Sequence, residues 1–225
     1  MIFNTYYSEK EIKRLMTRIP NFRLRGHGSY VFDRFEYSAE DCDCSLCLHY
    51  HKKTGCTELN CPYLTERITA GAVPIGEVLL EVFSEVDHFD FQIRLLQYIH
   101  KSEESTMQFK NEKHRETFTE VIKRLNKKDK SLMAAIYLLT ADGKLWSQAK
   151  RYMDHGGVHL DGIRLRDCTE TAYTLLCCAK DLTCGTKYIA VSDLADADII
   201  PPKLFAVICN AVAIRRYGLG AIQFK

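Results

Sequence analysis

Five of the ten cysteines fall between positions 42 and 61, in the run Cys42-Asp43-Cys44-Ser45-Leu46-Cys47 and then at Cys56 and Cys61. No other feature of the chain constrains its fold as strongly. Two thiolates two residues apart can reach one ion from a tight turn, and zinc favours four sulfur ligands in a tetrahedron. The spacing therefore predicts one structural Zn2+ per chain, held by Cys44, Cys47, Cys56 and Cys61. Ser45 and Leu46 fill the turn of the first pair, and Lys52 and Lys53 offset part of the thiolate charge. Cys42 is the alternative to Cys44, and His49 and His51 are alternative nitrogen donors. Cys42 and Cys44 alternate, so an extended segment points them apart, which argues against both binding one ion. Four thiolates leave no open coordination position, which makes the expected site structural rather than hydrolytic. An iron–sulfur cluster takes similar ligands, but no cofactor-binding half accompanies them, so zinc is favoured.

The other cysteines read differently. Cys177, Cys178 and Cys209 sit in apolar helical runs, where a free thiol packs as a small hydrophobe. Cys168 and Cys184 flank one helix. Clustered cysteines used for metal suit a reducing compartment. Met1-Ile2-Phe3 leads at once into polar residues rather than an apolar targeting core, so the expected location is the cytoplasm. The apolar fraction of 46% is that of an ordinary globular protein.

The pattern predicts an α+β, mainly α fold. Residues 1–70 read as a small zinc-stabilised module with a helix and a β-hairpin, residues 71–103 as a helical connector, and residues 104–225 as a predominantly helical domain. Ser8 and Glu11 resemble a capping box ahead of Ile12, Leu15, Met16 and Ile19. Pro74 opens a helix carrying Ile75, Val78, Leu79, Val82 and Phe83. A second apolar stripe runs through Phe89, Ile93, Leu96 and Ile99. Further helices are expected over 114–125, after an Asp129 cap, around Trp146–Tyr152, and over 169–182 and 202–217. Strands are expected between Val158 and Leu165. Gly218 is placed to stop the last helix.

A net charge of +2 excludes little. One local imbalance stands out. Lys13, Arg14, Arg18, Arg23, Arg25 and Arg34 face a single acid, Asp33, between positions 13 and 34. Arg23 and Arg25 share a strand face and are candidate contacts for phosphates or an acidic protein surface. Arg215, Arg216 and Tyr217 are candidate partner contacts at a helix end, since Arg and Tyr are common hot spots. His114 between Glu112 and Glu116 is the candidate acid–base centre of a hydrolase or nuclease. Asp193, Asp196 and Asp198 are oxygen donors without a recognisable metal motif.

Two resemblances add to this reading. From Phe109 to Tyr217 the chain resembles an uncharacterised domain family of Firmicutes genomes, phages and mobile elements. The landmarks are Phe109-Lys110-Asn111 with His114, Tyr137-Leu138-Leu139-Thr140-Ala141-Asp142, Ala179-Lys180-Asp181-Leu182, Ser192-Asp193-Leu194 and Arg215-Arg216-Tyr217-Gly218. The cysteine segment ending in Cys61-Pro62-Tyr63-Leu64 is similar to small zinc-binding elements of the same mobile-element proteins. The combination resembles phage-encoded metalloprotein inhibitors of type II-A CRISPR nucleases. That resemblance implies a non-enzymatic inhibitor that binds a bacterial CRISPR effector nuclease and blocks guide or target-DNA loading. A zinc-containing nucleic-acid-binding or regulatory protein of a mobile element is the alternative. An Arg23→Glu/Arg25→Glu variant separates the two kinds of partner in salt titrations. Direct binding to duplex DNA is expected to weaken strongly and to show a shallower dependence on salt. A protein complex is expected to lose part of its electrostatic steering and to keep its apolar anchor. Unchanged affinity for either would remove these two residues from the interface.

Overall fold

The computed structural model describes residues 38–56, 58, 61–102, 108–125, 129–154 and 157–224. The chain divides into two units, Met1–Glu36 and Tyr37–Lys225, and the architecture that follows is that of the second. The expected N-terminal helix and hairpin, with Arg23 and Arg25, lie outside the described residues. The predicted boundary between residues 103 and 104 does so as well.

The described fold is mainly helical, with two small antiparallel hairpins. In the first hairpin β1 (Tyr50–His51) pairs with β2 (Gly55–Cys56), and Tyr50 stands opposite Cys56. The helices α1 (Leu64–Thr69), α2 (Ile75–Val82) and α3 (Phe89–Ser102) follow, then α4 (Glu112–Arg124), α5 (Lys130–Thr140) and α6 (Gly143–Ala149). In the second hairpin β3 (Met153–Asp154) pairs with β4 (Gly157–Val158). The chain continues through α7 (Glu170–Cys184), the short α8 (Val191–Ala195) and α9 (Pro202–Tyr217), and closes with a 3-10 turn, Leu219–Ile222. Between Val158 and Leu165 the predicted strands shrink to the end of β4, followed by a 3-10 turn at Leu160–Gly162.

Helix ends follow side-chain chemistry that the sequence displays. Asn111, Asp129, Asp142 and Thr169 each accept a hydrogen bond from the amide three residues on, capping α4, α5, α6 and α7. Each such cap contributes about 1 kcal/mol. Proline at the first position of α9 gives up an amide that has no intrahelical partner anyway. Gly218, at φ 88°, ends the same helix in a conformation costly for residues with a Cβ.

The core is organised around α5. From Met133 to Thr140 every residue is buried, and a helix without a solvated face belongs at the centre of a fold. It packs chiefly against α7 and α9, with α4 and α6 alongside. The one buried hydroxyl on this stretch other than Tyr137, that of Thr140, donates to the Ile136 carbonyl at 2.7 Å. Helix α9 is nearly as enclosed, from Leu204 to Ile214, and also touches α1 and α2. Ile68 of α1, Val78 of α2 and Phe91 of α3 belong to the same apolar cluster as Leu138 and Ile214.

One glycine is fixed by space rather than by torsion. A Cβ on Gly220 would stand 1.9 Å from the Thr69 carbonyl oxygen, so the closing 3-10 turn lies directly on the end of α1. Gly220→Ala is expected to cost roughly 1–3 kcal/mol, because backbone has to move. Gly143→Ala, where nothing lies within 4 Å, is expected to be neutral or slightly stabilising. Urea denaturation of the two variants checks the contrast.

Candidate functional site

The cysteine segment folds into the tight turn that its spacing suggested. Cys44–Leu46 forms a 3-10 turn in which the Cys47 amide donates to the Cys44 carbonyl at 3.0 Å and Asp43 caps Ser45 at 2.8 Å. The thiols do not converge, however. Among the described residues, which include Cys42, Cys44, Cys47, Cys56, Cys61, His49 and His51, no group of three or more His, Cys, Asp or Glu can hold a metal ion. This corrects the expectation of a structural zinc on Cys44, Cys47, Cys56 and Cys61, and with it the zinc-stabilised module. Local geometry shows where the side chains go instead. Cys56 is exposed at the end of its hairpin strand. The Cys61 sulfur is approached at 3.9 Å by the guanidinium of Arg67, one helical turn into α1. His49 pairs with Glu58 at 3.1 Å. Cys42 is pushed above its ordinary pKa, first by burial and then by Asp41. The ten cysteines are free thiols, and Cys177, Cys178 and Cys209 are buried as the sequence suggested.

His114 occupies a structural position. It is 2% exposed, and its ring is closed on both sides by backbone. Nε2 donates to the Tyr137 carbonyl at 2.8 Å, and Nδ1 accepts from the Lys110 amide at 3.1 Å, which fixes the neutral tautomer. Phe109, Phe118 and Tyr137 surround it. Its neighbours in sequence, Glu112 and Glu116, point to solvent. A second layer of polar contacts completes this region. Tyr137 Oη donates to the Gln108 carbonyl, which also accepts from Asn210 Nδ2 at 3.1 Å. Tyr98 Oη donates to Asn210 Oδ1 at 3.4 Å, and burial pushes its pKa up to about 12. Residues 108–114 are thus fastened to α5 and α9.

Arg215, Arg216 and Tyr217 also work within the fold. Arg215 Nε donates to the Leu182 carbonyl at 2.9 Å, at the end of α7. Arg216 donates to the Glu81 and Val82 carbonyls at the end of α2 and pairs with Glu81. Positive side chains at these helix ends oppose the negative pole of the helix dipole. Tyr217 is buried, with its hydroxyl 3.4 Å from Glu81 Oε1. Asp193 and Asp196 each bond a nearby amide, of Ala190 and Asp198, rather than joining in a cluster. His159 contacts Asp154 at 2.7 Å across the exposed second hairpin.

The distinctive surface lies on α3. Its inner face consists of Phe91, Leu95 and Ile99, joined by Arg94. Arg94 donates to the carbonyls of Leu194, Asp196 and Ile200 and lies 4.4 Å over the Phe205 ring. Those contacts hold the α8–α9 connection against α3. The stripe expected from sequence faces the other way: Phe89 is 77% exposed, Leu96 54% and Ile93 39%, and only Ile99 turns inward. Beside Ile93 a cleft of about 690 Å³ opens between α3 and the 192–205 segment. Comparisons with protein-family models, curated proteins and solved structures returned no match.

The buried His114 gives the molecule a pH dependence of definite sign. Burial lowers its pKa from 6.5 to about 4. Between these values the unfolded chain binds a proton that the folded chain does not, so stability falls as pH drops from about 6.5 towards 4. The shift corresponds to about 3 kcal/mol over that window. His114→Gln keeps a donor near the Tyr137 carbonyl and cannot titrate. It is expected to be less stable at pH 7 and to show a flatter stability profile below pH 6.5, as urea titrations at a series of pH values will read.

Proposed function

We propose that this chain acts by binding another protein, with the outer face of α3 as its contact surface. The supporting observation is the row Phe89, Ile93 and Leu96, apolar residues left in solvent on one side of a helix whose other side is already packed into the core. Single exposed apolar residues are ordinary, but a row at helical spacing beside a cleft is a feature of recognition surfaces. Burying such a row against a partner releases apolar surface from water at about 25 cal/mol per Å². The sequence resemblance supplies the first partner to test, a type II CRISPR nuclease, with the chain acting as a stoichiometric inhibitor of guide or target-DNA loading.

Co-elution of the protein with a purified type II nuclease on a sizing column, together with loss of target-DNA cleavage, is the expected outcome. A Phe89→Ser/Leu96→Ser variant is expected to lose the complex and to keep its folding stability within about 0.5 kcal/mol, as exposed substitutions usually do. Failure to co-elute with any of a panel of such effectors would remove the nuclease as the partner. Retention of the complex by the double variant would remove α3 as the contact face.

A further inference from the structure

We propose that the groove beside α3 receives a basic amphipathic helix of the partner protein. This rests on the protein-binding reading and adds the chemistry of what is bound. The groove is lined from within the segments 84–98 and 190–205, with Asp90 and Asp196 as the acids of the lining itself and the other acids of these segments beside it in sequence. The segments carry six acids, Glu85, Asp87, Asp90, Asp193, Asp196 and Asp198, against two bases, Arg94 and Lys203. Five of the six acids are exposed, and Asp193 is half-buried. Among the described residues the ion pairs engage other carboxylates, those of Glu58, Glu81, Glu112, Glu120, Asp154 and Asp161. Arg94, which lines the cleft with its guanidinium on three carbonyls and over the Phe205 ring, offsets one of these charges beside Asp196 and leaves the acids in excess. An apolar row within an acidic rim complements a segment that presents apolar anchors flanked by Lys and Arg. The same rim repels phosphates, which sets this face against nucleic acid.

Helical form follows from the spacing of the row. Phe89, Ile93 and Leu96 are four and three residues apart, so they form a ridge of two turns, about 10 Å long. Such a ridge beside the cleft matches a second helix laid along it, whose own anchors recur at the same intervals. Ile93, Asp90 and Gln97 line the cleft from α3, and Ser192, Ala195 and Asp196 line it from the opposite side. Apolar and acidic groups therefore line the cleft together with the Arg94 guanidinium.

The probe is a fluorescently labelled helical peptide of leucine and lysine, with leucines at positions i, i+4 and i+7, titrated with the full-length protein. The controls are its scrambled form and a version with every lysine replaced by glutamate. Saturable binding of the lysine peptide alone is expected. Ile93→Ser/Leu96→Ser should weaken it about tenfold. Asp90→Asn/Asp196→Asn should weaken it severalfold and flatten its salt dependence, with folding stability unchanged. Equal binding of the glutamate or scrambled peptide, binding indifferent to both variants, or no binding at all would overturn the proposal. So would a concentration-dependent dimer in sedimentation that the Ile93→Ser/Leu96→Ser variant abolishes, since the row would then belong to a second copy of the chain. A nuclease complex that forms while the peptide fails defeats this inference and leaves the protein-binding reading standing. Peptide binding without any nuclease complex does the reverse for the CRISPR partner.

Discussion

A helix with no polar face sets the terms for the rest of this molecule. From Met133 to Thr140, α5 offers water nothing, so elements must cover it on every side. Each fully buried Leu, Ile or Met on it is worth about 1.5–3 kcal/mol relative to exposure. Helices α7 and α9 take most of that surface, and α4 and α6 cover what remains. The arrangement leaves α2 and α3 as an outer layer reached through α9 and the closing turn. In that layer α3 keeps Phe89, Ile93 and Leu96 in solvent.

The polar groups that enter this core are matched in a way that fixes one arrangement. Tyr137 and Asn210 both serve the Gln108 carbonyl, and His114 bridges the Lys110 amide to the Tyr137 carbonyl. Leaving any one of these groups unpartnered in an apolar interior costs on the order of 1–3 kcal/mol. The set therefore selects the path of residues 108–114 as much as it stabilises it. Arg94 does the same at the other edge, where one side chain holds a carbonyl at the end of α8 and two of its connection to α9.

Local signals in the sequence carried much of this fold. The Asp129 cap, Pro202 at a helix start and Gly218 at its end can be read from residue chemistry alone, and α9 spans the expected 202–217. The failures share a physical cause. Cys44 and Cys47 form the turn that their spacing implies, but convergence with Cys56 and Cys61 depends on how a hairpin and α1 are laid together, which spacing does not encode. Helix α3 has two apolar stripes, one through Phe91, Leu95 and Ile99 and one through Phe89, Ile93 and Leu96. The sequence reading takes the stripe through Phe89, and only packing decides which is buried. His114 beside two acids stayed an alternative catalytic reading, because a sequence does not show that the backbone of Lys110 and Tyr137 claims its ring.

The position of α9 in the chain has a kinetic consequence. Its contacts reach back to α1, α2, α5 and α7, and Arg216 bonds residues 134 and 135 positions earlier. Ties across such distances close large loops, and folds built on them tend to form slowly. As the polypeptide leaves the ribosome, α5 and α7 are complete before the segment that covers them has been made. For that interval the nascent protein carries an uncovered apolar helix, the kind of surface that chaperones hold and that drives aggregation when they do not.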